Sequence, residues 1–406
     1  MGNRTVINFN SELQQRLNSL REQNLFRELR RVDSPQSPRI QIKEKIFLNF
    51  SSNDYLGLAN DLILKKAAVR AIKKFGAGAG ASRLICGSLA PFHELEESLA
   101  HFKKTEAALS FSSGYTTAPG AVCALIGKGD VIILDKLVHA SIVDAARLSG
   151  AKIRVFAHND LNDLEDKLKW TVKNIQRPKR ALIVTESIFS MDGDAAPLRE
   201  IVELKNQFGA WLMVDEAHAT GIFGKNGRGL AEKLDVSNQI EIQMGTLGKA
   251  LGASGGYICG ARALIDLLVN RARSFIFSTA PVPAAAAAAT AAIQFVQSDE
   301  GEARRKKLRE NIKQFHSLLR TPYSAMQSAI IPLVLGDANK AMVAAAKLHE
   351  QNMFVPAIRF PSVARGSARL RMTLTSAHLA NDIAKLANAL GQIVNQKPND
   401  AQTGKT

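Results

Sequence analysis

Seven short apolar runs, spaced by stretches of helical period, constrain this chain more than any other feature. They are Ala107–Phe111, Val131–Leu134, Ile153–Phe156, Ala181–Thr185, Trp211–Val214, Ile242–Met244 and Gly256–Cys259. Between most of them lie amphipathic segments such as His93–Lys103, Leu161–Asn174 and Leu198–Phe208. Strand and helix in alternation predict an α/β protein with a mostly parallel seven-stranded sheet covered on both faces. After the Ala-rich helix Ala280–Val296 the pattern changes. It reads as helix (Glu302–Leu319), strand (Ala329–Leu335), helix (Ala338–Gln351), two strands (Phe354–Ile358 and Ala368–Leu374) and a last helix from His378, a smaller α+β unit.

Ahead of the sheet, an amphipathic stretch, Leu13–Leu29, passes through the Pro- and Ser-rich linker Asp33–Pro38 into an apolar segment at Ile46–Phe50. Three parts are expected: an N-terminal arm and small-domain segment over 1–50, a large domain over 51–290, and a C-terminal small domain over 291–406 that ends in a polar, frayed tail from Asn395. A chain of 406 residues is long enough for such a plan at roughly 100 to 200 residues per domain.

Composition narrows the function classes. Apolar residues at 46% and charged residues at 22% belong to a folded globular chain rather than a disordered one. The 53 Lys and Arg against 37 Asp and Glu leave a net charge of +16, a field that draws in anions. Basic runs are not interleaved with aromatics, so no nucleic-acid partner is expected. The three cysteines form no C-x-x-C pair, which points to neither a disulfide framework nor a zinc site and to a reducing, cytoplasmic setting. The first residues carry no apolar export segment, and the Ala-rich run opens with Pro281 and Pro283, so neither export nor a membrane span is expected.

The common nucleotide and metal motifs fail on spacing. Gly76-Ala-Gly-Ala-Gly80 follows a helix and is G-x-G-x-G, so a flexible loop is the better reading. Gly245-Thr-Leu-Gly248-Lys249 is no P-loop, and His93-Glu94 lacks the second histidine of a zinc-protease helix. What remains is Asp215-Glu-Ala-His218 at the end of one strand and Thr246-Leu-Gly-Lys249 at the end of another. Ligands of open parallel sheets sit outside the carboxyl ends of the strands, where an acid, a histidine and a lysine can converge. An enclosed lysine with a lowered pKa forms a Schiff base with an aldehyde, and an Asp can hold a pyridine nitrogen protonated. Either residue alone is more often a turn or surface group; the combination is what carries weight. Ser112-Ser113-Gly114-Tyr115 adds a strand-to-helix turn with donors for a phosphate, and Tyr115 or His139 supplies a ring to stack on another.

Asn49–Leu58 (NFSSNDYLGL), Ser113–Tyr115, Asp135-Lys-Leu-Val-His139, Thr185–Asp194 (TESIFSMDGD), Asp215–His218 and Thr246–Lys249 together resemble the α-oxoamine synthases, in the family's order and over nearly the whole chain. The resemblance implies an aspartate aminotransferase-like, fold type I transferase that uses pyridoxal 5'-phosphate to join an amino acid to an acyl thioester with loss of carbon dioxide. It implies Lys249 as Schiff-base lysine and base, Asp215 on the pyridine nitrogen, His218 on the phenolic oxygen and His139 over the ring. Gly114, Tyr115, Ser190 and Thr246 would line the cofactor pocket, and Ser278 and Thr279 would reach the neighbouring subunit's phosphate in a homodimer with shared sites. Asn53 and Arg371 would hold the substrate carboxylate, Arg27 and Ser362 would meet the thioester, and Arg369 would be structural.

Further blocks, among them Ser82–Ser88, Leu89–Glu96, Phe156–Asp160 and Ala357–Arg359, are most similar to family members that join L-alanine to a pimeloyl thioester of coenzyme A or acyl carrier protein. Phe360 and Ala364 stand where those members usually have proline. Gly245–Gly252 is shared with members that use glycine and acetyl-CoA. Two readings from other classes stay beside these: a silent partner subunit, against which Lys249, Asp215 and His218 together argue, and a nucleic-acid binder, for which only the charge speaks.

Overall fold

The computed structural model describes residues 8–174, 180–321 and 328–395, so the tail after Asn395 lies outside the described residues. A hairpin of β1 (Arg39–Ile42) and β2 (Lys45–Asn49) precedes the central sheet. That sheet takes β3 (Ala107–Phe111), β4 (Val131–Asp135), β5 (Lys152–Phe156), β6 (Ala181–Glu186), β7 (Trp211–Asp215), β8 (Ile242–Thr246) and β9 (Gly256–Gly260). Their order is β3-β9-β8-β7-β6-β4-β5, and only β9 runs against its neighbours. The inner strands read as unbroken apolar runs because helices cover both faces; β5, at the edge, is only half-buried. No helix among the described residues is long and apolar enough to cross a membrane.

The strand order reverses at β4 and β6: β5 follows β4 outward on one side, whereas β7 and β8 follow β6 on the other. A crevice opens at such a reversal, outside the carboxyl ends of the strands. The ends of β4, β6 and β7 carry Asp135, Glu186 and Asp215, and two helices begin beside them. His139 caps the helix Ala140–Ser149. Ser113 caps Gly114–Leu125, its hydroxyl accepting the N–H of Thr116 while the Thr116 hydroxyl accepts the N–H of Ser113. This helix start presses so closely on β9 that a Cβ on Gly256 would lie 2.8 Å from the Gly114 Cα and 2.3 Å from the Thr117 hydroxyl, leaving glycine as the residue that fits.

Two smaller sheets flank the large one. β11 (Met353–Phe354) runs parallel to β2, and β13 (Ala368–Thr373) pairs antiparallel with β10 (Ile330–Gly336) and β12 (Ala357–Ile358). The stretch expected to form one strand, Phe354–Ile358, is thus two, in different sheets. Pro356 has no N–H to give a ladder, and the chain changes sheets around it. The N-terminal helix also differs in extent, running from Phe9 to Glu22 without a buried residue and stopping before Asn24, whose φ of 55° is left-handed. Phe50, Tyr55, Leu56 and Leu58 are fully buried against the core, and each aliphatic or Phe side chain removed from water contributes about 1.5–3 kcal/mol.

Candidate active site

Lys249 sits in the turn between β8 and β9, its Nζ 2.6 Å from Nε2 of His218. On the other edge of that imidazole, Nδ1 lies 2.7 Å from the Tyr55 hydroxyl. Tyr55 donates to Oδ1 of Asn53 at 3.1 Å, and the same oxygen accepts from Nη2 of Arg371 at 3.2 Å. The Arg371 Nε then donates to the Ser190 carbonyl at 2.6 Å. When the Tyr55 proton goes to Asn53, its oxygen accepts from Nδ1–H of His218, and Nε2 accepts from the lysine.

The electrostatics follow from burial. Lys249 is pushed down to about 8, chiefly because burial disfavours the ammonium, although the charges of Asp215 and Glu186 pull the other way. Burial likewise raises Asp215, with the Lys249 charge opposing it, and lowers His218 well below the ordinary imidazole range, helped by Lys249 and Arg371. The His218 ring is therefore neutral, as the hydrogen-bond chain requires. Asp215 is fixed by the N–H of Ala217 at 2.9 Å. Next to it in sequence, the buried Glu216 takes an ion pair from the equally buried Lys103, accepts the N–H of Ala231 and so anchors the turn that carries Asp215 and His218. Removing one member of such a pair costs about 3–5 kcal/mol.

Other expected site residues surround this group. The His139 ring feels the charges of Asp215 and Lys249; partial desolvation lowers its pKa against the pull of Asp215, and its Nδ1 lies 2.8 Å from the Ser141 hydroxyl. Thr246 donates to the Gly255 carbonyl at 3.0 Å and faces Gly114 across the sheet end. Tyr115, half exposed, donates its hydroxyl to Asp144 at 2.6 Å. Arg369 binds Asp192 and the Met191 carbonyl, away from Asn53.

Two sets lie apart. Ser278 and Thr279 occupy a segment bridged to Ser82, and Arg27 reaches the Phe360 carbonyl and the Ser362 hydroxyl at 3.4 Å each. Among the described residues, no hydrogen bond joins either set to the Lys249 chain.

Two groups were given no role from the sequence. Tyr55 lies inside the Asn49–Leu58 block, where an aromatic before Leu-Gly reads as core. Glu186 sits directly opposite Asp215 in the β6–β7 register, buried, with Oε1 lacking a hydrogen-bond partner. Its carboxyl is pushed up to about 8, mostly by burial and then by Asp215. An amine near neutral, a buried acid, a guanidinium and a capped helix start in one crevice suit an aldehyde-bearing pyridine phosphate. The Glu186 Oε1 leaves one buried polar atom of that crevice unsatisfied, in keeping with a further polar group there.

The aminotransferase class I and II family matches residues 45–390. The 8-amino-7-oxononanoate synthase of Geobacter sulfurreducens is 46% identical over 380 residues, covering 93% of this chain and 96% of that protein. That of Thermoanaerobacter pseudethanolicus is 43% identical over 387 residues, 95% and 97% of the two. Among solved structures, a lysine-to-alanine variant of serine palmitoyltransferase from S. paucimobilis with a bound PLP–myriocin aldimine superposes with a TM-score of 0.88 at 28% identity, over 95% of this chain and 98% of that one. An 8-amino-7-oxononanoate synthase from Francisella tularensis gives 0.73 at 30% identity, over 86% and 98%. Sheet order, crevice and these likenesses define a fold type I pyridoxal-phosphate transferase. The chain belongs to the class I and II aminotransferase family and, within it, to the α-oxoamine synthases.

Proposed function

We propose that this chain joins L-alanine to a pimeloyl thioester, of coenzyme A or of acyl carrier protein, releasing 8-amino-7-oxononanoate, carbon dioxide and the free thiol, a step of biotin synthesis. The observation that supports the reading is the single hydrogen-bonded chain from Lys249 to Arg371, which joins an amine of lowered pKa to a guanidinium. The named relatives support the choice of substrates. When bound, pyridoxal phosphate supplies the aldehyde that takes up the amino group and the pyridinium that accepts the electrons freed from the α-carbon.

The chain's own residues do the rest. Arg371, pinned by Ser190 and Asn53, meets the alanine carboxylate with its further N–H donors. Lys249, as a free amine, would take the α-proton and later return one; the pKa near 8 suits both directions at neutral pH. Asp215 would place its carboxylate toward the ring nitrogen and His218 would meet the phenolic oxygen, while His139 would cover the ring, with Gly114, Tyr115, Ser190 and Thr246 around it. The α-carbon forms a bond to the thioester carbonyl as the C–S bond breaks, the carboxylate leaves as carbon dioxide, and a proton replaces it. Arg27 and Ser362, in contact with each other, would receive the acyl carrier arm.

A homodimer in the cytoplasm is part of the proposal, with Ser278 and Thr279 of one subunit completing the phosphate site of the other. The exposed Phe277 and Val282 beside them support a covered face. The same three-part division, 1–50, 51–290 and 291–406, is proposed; the pairing of β2 with β11 joins its first and last parts. Free-thiol release tests the activity, using pimeloyl-CoA and acetyl-CoA, each with L-alanine and with glycine. Release confined to pimeloyl-CoA with alanine is expected; release with acetyl-CoA and glycine would leave only the shared chemistry.

A further inference from the structure

The loop after β5 carries His158, whose ring stands between two carboxylates. Nδ1 lies 3.0 Å from Oδ1 of Asp135, and Nε2 lies 2.7 Å from Oδ2 of Asp194. Ionised carboxylates only accept, so both ring nitrogens carry hydrogen and the ring is an imidazolium. Burial opposes that charge, yet the hydrogen bonds and charges of Asp135 and Asp194 lift the ring to about 10. Phe189 packs edge-on against it, centroids 4.3 Å apart at 89°. Asn159, held at a φ of 55°, adds a second link, donating through Nδ2 to Asp194 and to the Ala195 carbonyl.

The two acids belong to different parts of the pocket. Asp135 ends β4 and is wholly buried; its oxygens also accept the N–H groups of Leu137 and Asn159, which shapes the turn ending at His139. Asp194 closes the loop Phe189–Asp194, its carbonyl accepting the N–H of Phe189, and Ser190 lies in that loop. Among the described residues, no hydrogen bond or ion pair joins His158 to the Lys249 chain or to Arg371. Without it, a buried carboxylate would lose its cation and face a second carboxylate across the gap.

We propose that His158 is a positioning residue of the cofactor pocket, its ring clamped between Asp135 and Asp194 so that the turn bearing His139 and the loop bearing Ser190 keep one separation. The inference rests on the proposed places of His139 and Ser190 beside the cofactor. The test uses the holoenzyme with His158→Gly, whose missing ring added imidazole can replace, because the site is partly open. The readouts are the dissociation constant of pyridoxal phosphate and the visible circular dichroism of the bound cofactor, beside the far-ultraviolet signal that reports folding.

Affinity weaker by at least tenfold, a reduced visible signal and recovery of both with millimolar imidazole are expected. A folded variant with both readouts unchanged overturns the proposal, and so does a loss that imidazole does not reverse, since that marks a general structural effect. Should His158→Gly fail to fold, Asp194→Asn removes one charge from the clamp at its exposed end, and an unchanged cofactor signal there overturns the proposal equally. His139→Ala separates the two levels of argument. If it leaves the visible signal unaltered, the pocket assignment falls and this inference with it; if it alters the signal while the His158 and Asp194 variants do not, only this inference falls.

Discussion

The Tyr55 hydroxyl lies 2.7 Å from Nδ1 of His218, and this contact links Lys249, through the imidazole, to Asn53 and Arg371. With Asn53 taking the Tyr55 proton, His218 offers a lone pair rather than a proton to Lys249. The lysine is thus held by an acceptor at its amine and by burial at its charge, and neither is visible from the Thr246–Lys249 spacing alone.

Tyr55→Phe keeps the ring packing and removes the acceptor of the buried Nδ1–H. A loss of about 1–3 kcal/mol in unfolding free energy is expected, the usual cost of one unsatisfied buried group. Urea unfolding of the apoprotein at pH 7 checks it; an unchanged midpoint would mean that water or another group satisfies His218.

Capture of pyridoxal phosphate by the apoprotein should depend on pH through Lys249. Its amine attacks only when neutral, and its pKa lies near 8 rather than 10.5. Below pH 8 the capture rate should fall by about tenfold per unit and above it level off. Stopped-flow absorbance between pH 6 and 9 measures this, and a limb near 10 would show the lysine to be solvated. Lys249→Ala should show no Schiff-base absorbance at any pH, and its thiol-release rate should drop on the order of 10²–10⁴-fold.

Arg371→Ala should raise KM for alanine by roughly 10- to 100-fold, the worth of a charged hydrogen bond, with little change for the thioester. Arg371→Lys should recover only part, because an ammonium cannot span both the Ser190 carbonyl and Asn53 while binding a carboxylate. Steady-state kinetics with each substrate varied in turn gives the answer, and a larger effect on the thioester would reassign the residue.

His378 ties stability to pH. Its Nδ1 accepts the Thr375 N–H and its Nε2 donates to the Asn49 carbonyl, so the fold holds it neutral, stacked on Phe50. Burial lowers it from 6.5 to about 4. The unfolded chain takes up the proton first, so stability is full above pH 6.5 and lost as pH falls through 6.5 toward 4, by about 3 kcal/mol. Urea midpoints at pH 7 and pH 4.5 for the parent and His378→Gln test this; the variant should lose less between the two.

Much of the fold was legible because the central strands are buried on both faces and stand out as apolar runs. β1 was not, since Arg39-Ile-Gln-Ile42 is short and interrupted by polar residues. The break at Pro356 was not, because two adjacent dipeptides look like one strand until their partners are known. For the site, strand-end positions brought Asp215, His218 and Lys249 together on paper. Tyr55 and Glu186 were not legible there: one is distant in sequence from His218, and the other matters through its register opposite Asp215.

The change of sheet at Pro356 also has a mechanical side. β12 is laddered to β13, with Ala357 opposite Leu370 and Ile358 opposite Arg369, and the next turn brings the Ser362 N–H onto the Arg359 carbonyl. Arg371 rides on that same β13. A shift of β13 therefore tugs the loop beside Arg27, so the proposed carboxylate and thioester positions would be geared to one another.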